Sequence, residues 1–138
     1  MAEIEAHARA GRPLSPHLQI YRVTMTMAMS IAHRITGAAL YFGMILLAWW
    51  LIAAASGPNA YAKFEWFISS LIGRVVLLGY TWALLHHMLG GIRHLIWDTL
   101  HGFEPAEREM LAAATLIGSI ALTIVLWAIG YLTMGGAR

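Results

Sequence analysis

The chain has 138 residues, of which 59% are hydrophobic and only 12% are charged, and its mean hydropathy is +0.65. Soluble domains carry roughly 25% charged residues, and a soluble fold of this composition would expose large apolar patches to water. The net charge is only +2, and the basic residues are scattered at the ends of apolar runs, which argues against a nucleic-acid surface. Because the chain has no cysteine, it can ligate no iron–sulfur cluster and form no disulfide.

Three apolar stretches are long enough to cross a bilayer, which takes about 20 helical residues. They lie at about residues 30–55, 66–97 and 110–131, and no internal repeat is evident. The sequence therefore predicts an all-α integral membrane three-helix bundle that spans residues 30–138. Residues 1–29 are polar and are expected to form a cytoplasmic N-terminal segment.

Charge in the loops predicts the orientation of the bundle, because basic residues are enriched on the cytoplasmic side. We expect the N-terminus and the second connector, residues 99–109, in the cytoplasm and the C-terminus outside. The N-terminal segment lacks an apolar stretch with a cleavage site, so the first span is expected to direct its own insertion. A bacterial cytoplasmic membrane is favoured over a mitochondrial inner membrane. The basic residues assigned to the inner side are Arg9, Arg12, Arg22, Arg34, Arg93 and Arg108, and those assigned to the outer side are Lys63, Arg74 and Arg138.

The first span begins with a polar cluster, which is costly in lipid and typical of a functional site. Ser30, His33, Arg34 and Gly37 follow the spacing i, i+3, i+4, i+7 and are expected to share one helical face. This face offers a hydroxyl, an imidazole and a guanidinium, followed by a glycine that allows close approach. The alternative is an ordinary helix start, at which Arg34 extends towards the headgroups and Ser30 caps the helix.

The second span ends in a histidine-rich stripe. His87, Gly91, His94 and Asp98 lie at i, i+4, i+7 and i+11, and Arg93 adjoins them. A neutral imidazole is a good iron ligand, a nearby glycine makes room for a flat macrocycle, and an arginine can pair with a haem propionate. His94 and Asp98 are spaced to form a hydrogen bond. A histidine that only packs between helices is the alternative.

His86 adjoins His87, and spacing alone does not decide which of them is a ligand. The two side chains lie about 100° apart around a helix, and the stripe favours His87. Counted from Trp66, His87 lies about 30 Å along the helix, towards the inner side. The two polar clusters are therefore predicted to converge at a similar depth. Arg74 is a third charge within a span, and no role is assigned to it.

Three segments together resemble the cytochrome b subunit of succinate dehydrogenase. They read RPLSPHLQIY at residues 12–21, SIAHRITG at residues 30–37 and HMLGGIRHLIWD at residues 87–98. One segment alone would be weak support, whereas all three in order, with three spans in the matching places, are highly specific. The resemblance covers about two-thirds of the chain.

The resemblance implies that His87 is one axial ligand of a b-type haem and that a second small membrane subunit supplies the other. It also implies that Ser30 and Arg34 border a ubiquinone site, with Asp98 as a weaker candidate there. The N-terminal segment would contact an iron–sulfur subunit, which in turn receives electrons from a flavoprotein that oxidises succinate. The residues expected around the haem are His33, Arg34, Gly91, Arg93 and His94.

Two other functions fit the same spans. One is a haem b anchor of a different membrane oxidoreductase, such as a hydrogenase or a formate dehydrogenase, in which one chain supplies both axial histidines. The other is a purely structural anchor that binds neither haem nor quinone. In each case the chain alone is expected to have no enzymatic activity.

Overall fold

The computed structural model describes Pro16 and residues 20–135, and the regular elements of this part of the chain are helical. The expected all-α fold with three candidate spans is confirmed, because three of the helices are long and apolar enough to cross a membrane. The proposed contact of residues 1–29 with an iron–sulfur subunit falls mostly outside the described residues. The helices are α1 Met25–Ala55, α2 Pro58–Ser69, α3 Leu71–Asp98 and α4 Pro105–Gly135, of which α1, α3 and α4 are the candidate spans.

Helix α1 begins at Met25 rather than near Ser30. Thr24 is its N-cap, and the Thr24 hydroxyl accepts a hydrogen bond from the backbone N–H of Met27 at 3.3 Å. Ser30 therefore lies inside the helix, in its second turn, and the interpretation of Ser30 as a cap is wrong. The segment before Ser30 is rich in methionine, a good helix former, so the helix extends back to the first residue with strong capping chemistry.

The second span begins at Leu71 rather than near Trp66, because Ser70 separates it from a short helix. Ser70 has extended backbone angles, and its hydroxyl both donates to the carbonyl of Phe67 at 2.6 Å and accepts from the N–H of Gly73 at 3.0 Å. A Cβ at Gly73 would collide with the Phe67 carbonyl, so only glycine allows this sharp corner. His87 therefore lies about 24 Å along α3 from its start, not about 30 Å from Trp66.

The connector between α3 and α4 is shorter than expected, because α4 begins at Pro105. Proline is favoured at a first helical position, and the Glu107 carboxylate accepts a hydrogen bond from the N–H of Glu104 at 3.4 Å. The chain reverses through Leu100 and Gly102, which have φ angles of 63° and 79°. The indole N–H of Trp97 donates to the carbonyl of Gly102 at 3.1 Å and ties the turn to α3.

Helix α3 packs against both other spans, and small or polar residues line the contacts. The face of α4 within the bundle carries Ala112, Thr115, Ser119 and Thr123, all buried. Lipid provides no hydrophobic drive for the association of membrane helices, so they depend on close packing. Small residues allow this close approach. The large apolar side chains instead point outwards, as expected for a chain surrounded by lipid and other subunits.

Candidate functional site

The imidazole of His87 lies between α3 and α1. Its ring stacks on that of His33 with centroids 4.0 Å apart and planes 3° from parallel, and its Nδ1 lies 3.1 Å from the backbone carbonyl oxygen of His33. A carbonyl accepts only, so Nδ1 is the protonated nitrogen in this hydrogen bond and Nε2 keeps its lone pair. This contact confirms that the polar clusters of the two spans converge.

Two glycines create the space for these stacked rings. A Cβ at Gly37 of α1 would lie 2.9 Å from Cε1 of His87, and a Cβ at Gly90 of α3 would collide with the His33 ring. Each imidazole thus lies over a glycine of the opposite helix. The predicted role of Gly37 in close approach is confirmed, whereas Gly90 was not singled out from the sequence.

His86 faces the other way, into the contact between α3 and α4. It is fully buried, and its Nδ1 lies 3.2 Å from the hydroxyl oxygen of Ser119, which is also fully buried. The Ser119 hydroxyl donates to the carbonyl of Leu116 at 2.8 Å, so Nδ1–H of His86 is the donor in their shared bond. His86 is enclosed by the chain itself, and its neighbour His87 contacts a different helix.

Arg93 is buried on the same face of α3 as His86 and Gly90, with only 3% of its surface exposed. Its guanidinium carbon lies 5.2 Å from the ring centroid of Trp97, a cation–π contact. Its Nε and Nη1 are buried and have no hydrogen-bond partner among the described residues. A buried cation with unused donors is costly, so Arg93 is suited to an acidic group from outside this chain.

The predicted stripe on α3 is more exposed than this buried face. His94 is exposed, with its ring 5.3 Å from that of His33 and edge-on to Trp97 at 5.1 Å, and Asp98 is exposed at the helix end. Within the described part of the chain, the expected hydrogen bond between His94 and Asp98 is not formed. A Cβ at Gly91 would meet no atom within 4 Å, so the stripe borders open space.

The residues of the polar face of α1 also differ in how deeply they are buried. His33 and Gly37 are half-buried against α3, Ser30 is half-buried, and Arg34 is exposed. The four residues therefore do not present one common surface within this chain. Ser30 and Arg34 are about one turn apart on α1, on either side of His33 in the sequence.

Sequence reasoning missed the contributions of α4 and of Trp97. The signal in α4 was the spacing of Thr115, Ser119 and Thr123, which repeats every four residues and marks a polar stripe in an apolar span. Nothing in the sequence indicated which residue of α3 this stripe would contact. The sequence predicted no contact of Trp97 with Arg93 or with the turn after α3.

Three apolar spans with an imidazole cluster and a buried arginine at one end define a small multi-pass membrane protein with a polar site between its helices. Residues 8–126 match the family model described as succinate dehydrogenase/fumarate reductase transmembrane subunit. The chain belongs to this family.

Relatives from bacteria and from mitochondria agree with this assignment. The chain is 43% identical over 117 residues to the succinate dehydrogenase cytochrome b556 subunit of Paracoccus denitrificans, which covers 85% of this chain and 90% of the relative. It is 39% identical over 116 residues to the subunit of the same name from Rickettsia felis, covering 84% and 90%. It is 36% identical over 119 residues to the mitochondrial succinate dehydrogenase cytochrome b560 subunit of Sus scrofa, covering 83% and 69%.

Proposed function

We propose that this chain anchors succinate dehydrogenase in the membrane, ligates a b-type haem through His87 and forms part of the site where ubiquinone is reduced. The observation that carries the proposal is the hydrogen bond from His87 Nδ1 to the His33 carbonyl. Iron-ligating histidines typically donate their second ring nitrogen to a carbonyl or carboxylate, which fixes the ring and its tautomer. His87 thus has a free Nε2, whereas His86 is enclosed between α3 and α4.

The surroundings of His87 fit a haem. Buried nitrogens without a partner among the described residues, Nδ1 of His33 and Nε and Nη1 of Arg93, would bind propionate oxygens, and His94 lies beside them. The open space at Gly91 would admit the edge of a flat macrocycle. When bound, the haem supplies a one-electron redox centre close to the quinone site, and the protein residues hold and orient it.

The second axial ligand is proposed to come from a second small membrane subunit. The rings of His33 and His87 stack in parallel with centroids 4.0 Å apart, which leaves no room for an iron between them, so His33 would not serve as the other ligand. The half-exposed position of His87 at the chain surface suits a haem shared between chains. This arrangement disfavours the alternative in which one chain supplies both ligands.

Ser30 and Arg34 are proposed to bind ubiquinone at the edge of the haem surroundings, with Asp98 as a weaker contact. The Ser30 hydroxyl would donate a hydrogen bond to a quinone carbonyl. Arg34 would place a fixed cation near the oxygen on which negative charge develops during reduction. A flavoprotein subunit would oxidise succinate, and an iron–sulfur subunit would pass the electrons to this site.

The quinone site is proposed to face the cytoplasm of a bacterium, with the C-terminus outside. The basic residues within the described range that flank this end, Arg22, Arg34, Arg93 and Arg108, support the orientation. The iron–sulfur subunit would then dock at the same end.

The test of the quinone site replaces Ser30 or Arg34 by alanine in the complete complex. We expect Arg34→Ala to lower succinate:ubiquinone reductase activity by about tenfold or more, because a fixed charge next to the reacting oxygen is lost. Ser30→Ala should have a smaller effect of the same kind. Reduction of a soluble dye by succinate, which bypasses the membrane site, should persist in both variants.

Matched controls lie at the other end of the bundle. Ser56 caps the end of α1, and Lys63 is an exposed cation of α2. Ser56→Ala and Lys63→Ala should leave quinone reduction unchanged. Equal loss of dye and quinone reduction in the Ser30 and Arg34 variants would contradict the proposal and indicate failed assembly.

A further inference from the structure

A crevice opens at the end of the bundle opposite His87. It has a volume of about 420 Å³ and lies between the first half of α3 and the last part of α4, next to the end of α2. Arg74, one of its lining residues, is about 20 Å from His87 along α3. The crevice is therefore separate from the haem and quinone residues.

The polar groups of the crevice come from three helices. Ser69 at the end of α2, Arg74 in the first turn of α3 and Tyr131 near the end of α4 all line it. Arg74 is exposed, and the mechanism proposed above gives it no role. A guanidinium near the end of a membrane helix lies at headgroup depth, where it meets phosphate, for which its planar donors are well shaped.

The rest of the crevice is mainly apolar. Leu77 and Leu126 line it, and Trp127 closes part of it by donating from its indole N–H to the Thr81 hydroxyl at 3.4 Å. Gly130 adds width, because a Cβ there would meet no atom within 4 Å. A groove with a cation at one end and apolar walls selects an occupant with an anionic head and a hydrocarbon body.

We propose that this crevice is a binding site for one phospholipid, with its phosphate on Arg74 and an acyl chain between α3 and α4. The positive charge of Arg74 favours a phospholipid over a quinone or a helix of another subunit. A quinone gains negative charge only where it is reduced, and Arg74 lies about 20 Å along α3 from His87 and its proposed haem, whereas a phosphate is always charged. A helix of another subunit would need an acidic side chain at this depth. The lipid would fill the gap that α3 and α4 leave between them.

The first test counts lipid in the complete purified complex after extensive exchange into a phosphate-free detergent. A phosphorus assay should find one phospholipid fewer per complex in Arg74→Gln than in the wild type. Lys63→Gln is the matched control, because Lys63 is an exposed cation at the same end but does not line this crevice, and it should keep the wild-type content. Adding phosphatidylglycerol in mixed micelles should raise the melting temperature of the wild-type complex and of Lys63→Gln, but much less that of Arg74→Gln.

The second test fills the crevice while leaving Arg74 in place. Gly130→Leu projects a side chain into it and should also remove one phospholipid. Gly79→Leu is the control, because a Cβ at Gly79 likewise meets no atom within 4 Å but Gly79 does not line the crevice. The Gly79 variant should retain the lipid.

Three results would overturn the proposal. The first is unchanged phospholipid content in both Arg74→Gln and Gly130→Leu. The second is a Gly130→Leu complex that contains less quinone than the wild-type complex but the same amount of phospholipid. The third is loss of another membrane subunit from the Arg74→Gln and Gly130→Leu complexes, which would make the crevice a subunit contact. None of these readouts depends on quinone reduction, so the phospholipid site and the proposed quinone site are tested separately.

Discussion

The imidazoles of His86 and His87 lie next to each other in α3 but contact different helices. His86 donates to Ser119 of α4, and His87 donates to the backbone of His33 in α1. One imidazole is used for packing within the chain, and the other retains a free Nε2 at the chain surface. Their different surroundings give opposite expectations for their removal.

Replacing His87 by alanine should abolish the b-type band in a dithionite-reduced minus oxidised spectrum of the complex, because the proposed iron ligand is lost. His86→Ala should leave this band in place. The His86 variant should instead be less stable by about 2–5 kcal/mol, since it leaves a cavity at a fully buried position beside Ser119. Thermal unfolding of the complex measures this loss.

A b-type band that is present in His87→Ala and absent in His86→Ala would show that His86, and not His87, is the iron ligand. Loss of the band in both variants, with normal subunit content, would show that His86 also acts on the haem, through the orientation of α3. An absent band in the wild-type complex would instead favour a structural anchor.

At the residue scale, the sequence predicted which residue types gather but not how each is buried. The spacing of His87, Gly91 and His94 correctly placed them on one stripe, because helical geometry fixes angular position. It could not show that the neighbouring stripe, with His86, Gly90 and Arg93, is the buried one. Burial depends on the contacts with α1 and α4, and these are set by tertiary packing.

At the scale of elements, two adjacent glycines of α3 have different surroundings. Gly90 lies under the His33 ring, whereas Gly91 borders open space. Gly90→Ala should destabilise the complex by about 1–3 kcal/mol, because the stacked His33 ring cannot move aside without leaving His87. Gly91→Ala should not destabilise it, since alanine favours a helix over glycine by about 0.5–1 kcal/mol.

Thermal unfolding and haem content separate these two variants. We expect Gly90→Ala to lower the melting temperature, and Gly91→Ala to keep it while reducing the haem bound per complex. Full haem content in Gly91→Ala would contradict the proposed position of the haem beside this glycine. An unchanged melting temperature in Gly90→Ala would show that the contact between α1 and α3 is looser than the structure indicates.

Hydropathy predicted the number and order of the spans. The backbone groups of an apolar stretch in lipid must form their hydrogen bonds within the protein, and a single stretch does so as a helix. It did not predict the corner at Ser70, since the segments on both sides of the pair Ser69–Ser70 are apolar. The local signal was the capping hydroxyl of Ser70 and the glycine three residues later, which a hydropathy window averages away. The starts of α1 and α4 were likewise set by Thr24 and Pro105.

At the scale of the whole molecule, the chain leaves much of its apolar surface uncovered. Residues such as Ile45 and Leu71, which are 69% and 79% exposed, face lipid or other subunits. The proposed haem has only one ligand in this chain. Membranes that contain this chain alone should therefore lack the b-type band, and expression together with the proposed second anchor subunit should restore it.

A matched control expresses His87→Ala together with the second anchor, and it should show no band although both subunits are present. Immunoblotting checks that each chain is inserted. A full b-type spectrum from the wild-type chain alone would mean that both axial ligands lie in this chain. That result would favour the single-chain haem arrangement of other membrane oxidoreductases.

The lengths of the spans link this site to the lipid around it. Helix α1 has 31 residues, or about 46 Å at 1.5 Å per residue, whereas the hydrocarbon layer is about 30 Å thick. The helix is longer than this layer and must tilt or protrude from it, and Ser30 and Arg34 lie in its first three turns. The depth of these two residues is therefore set by the thickness of the membrane. Lipids with longer acyl chains would draw Arg34 into hydrocarbon, and shorter ones would lift it away from the tails in which the quinone is dissolved.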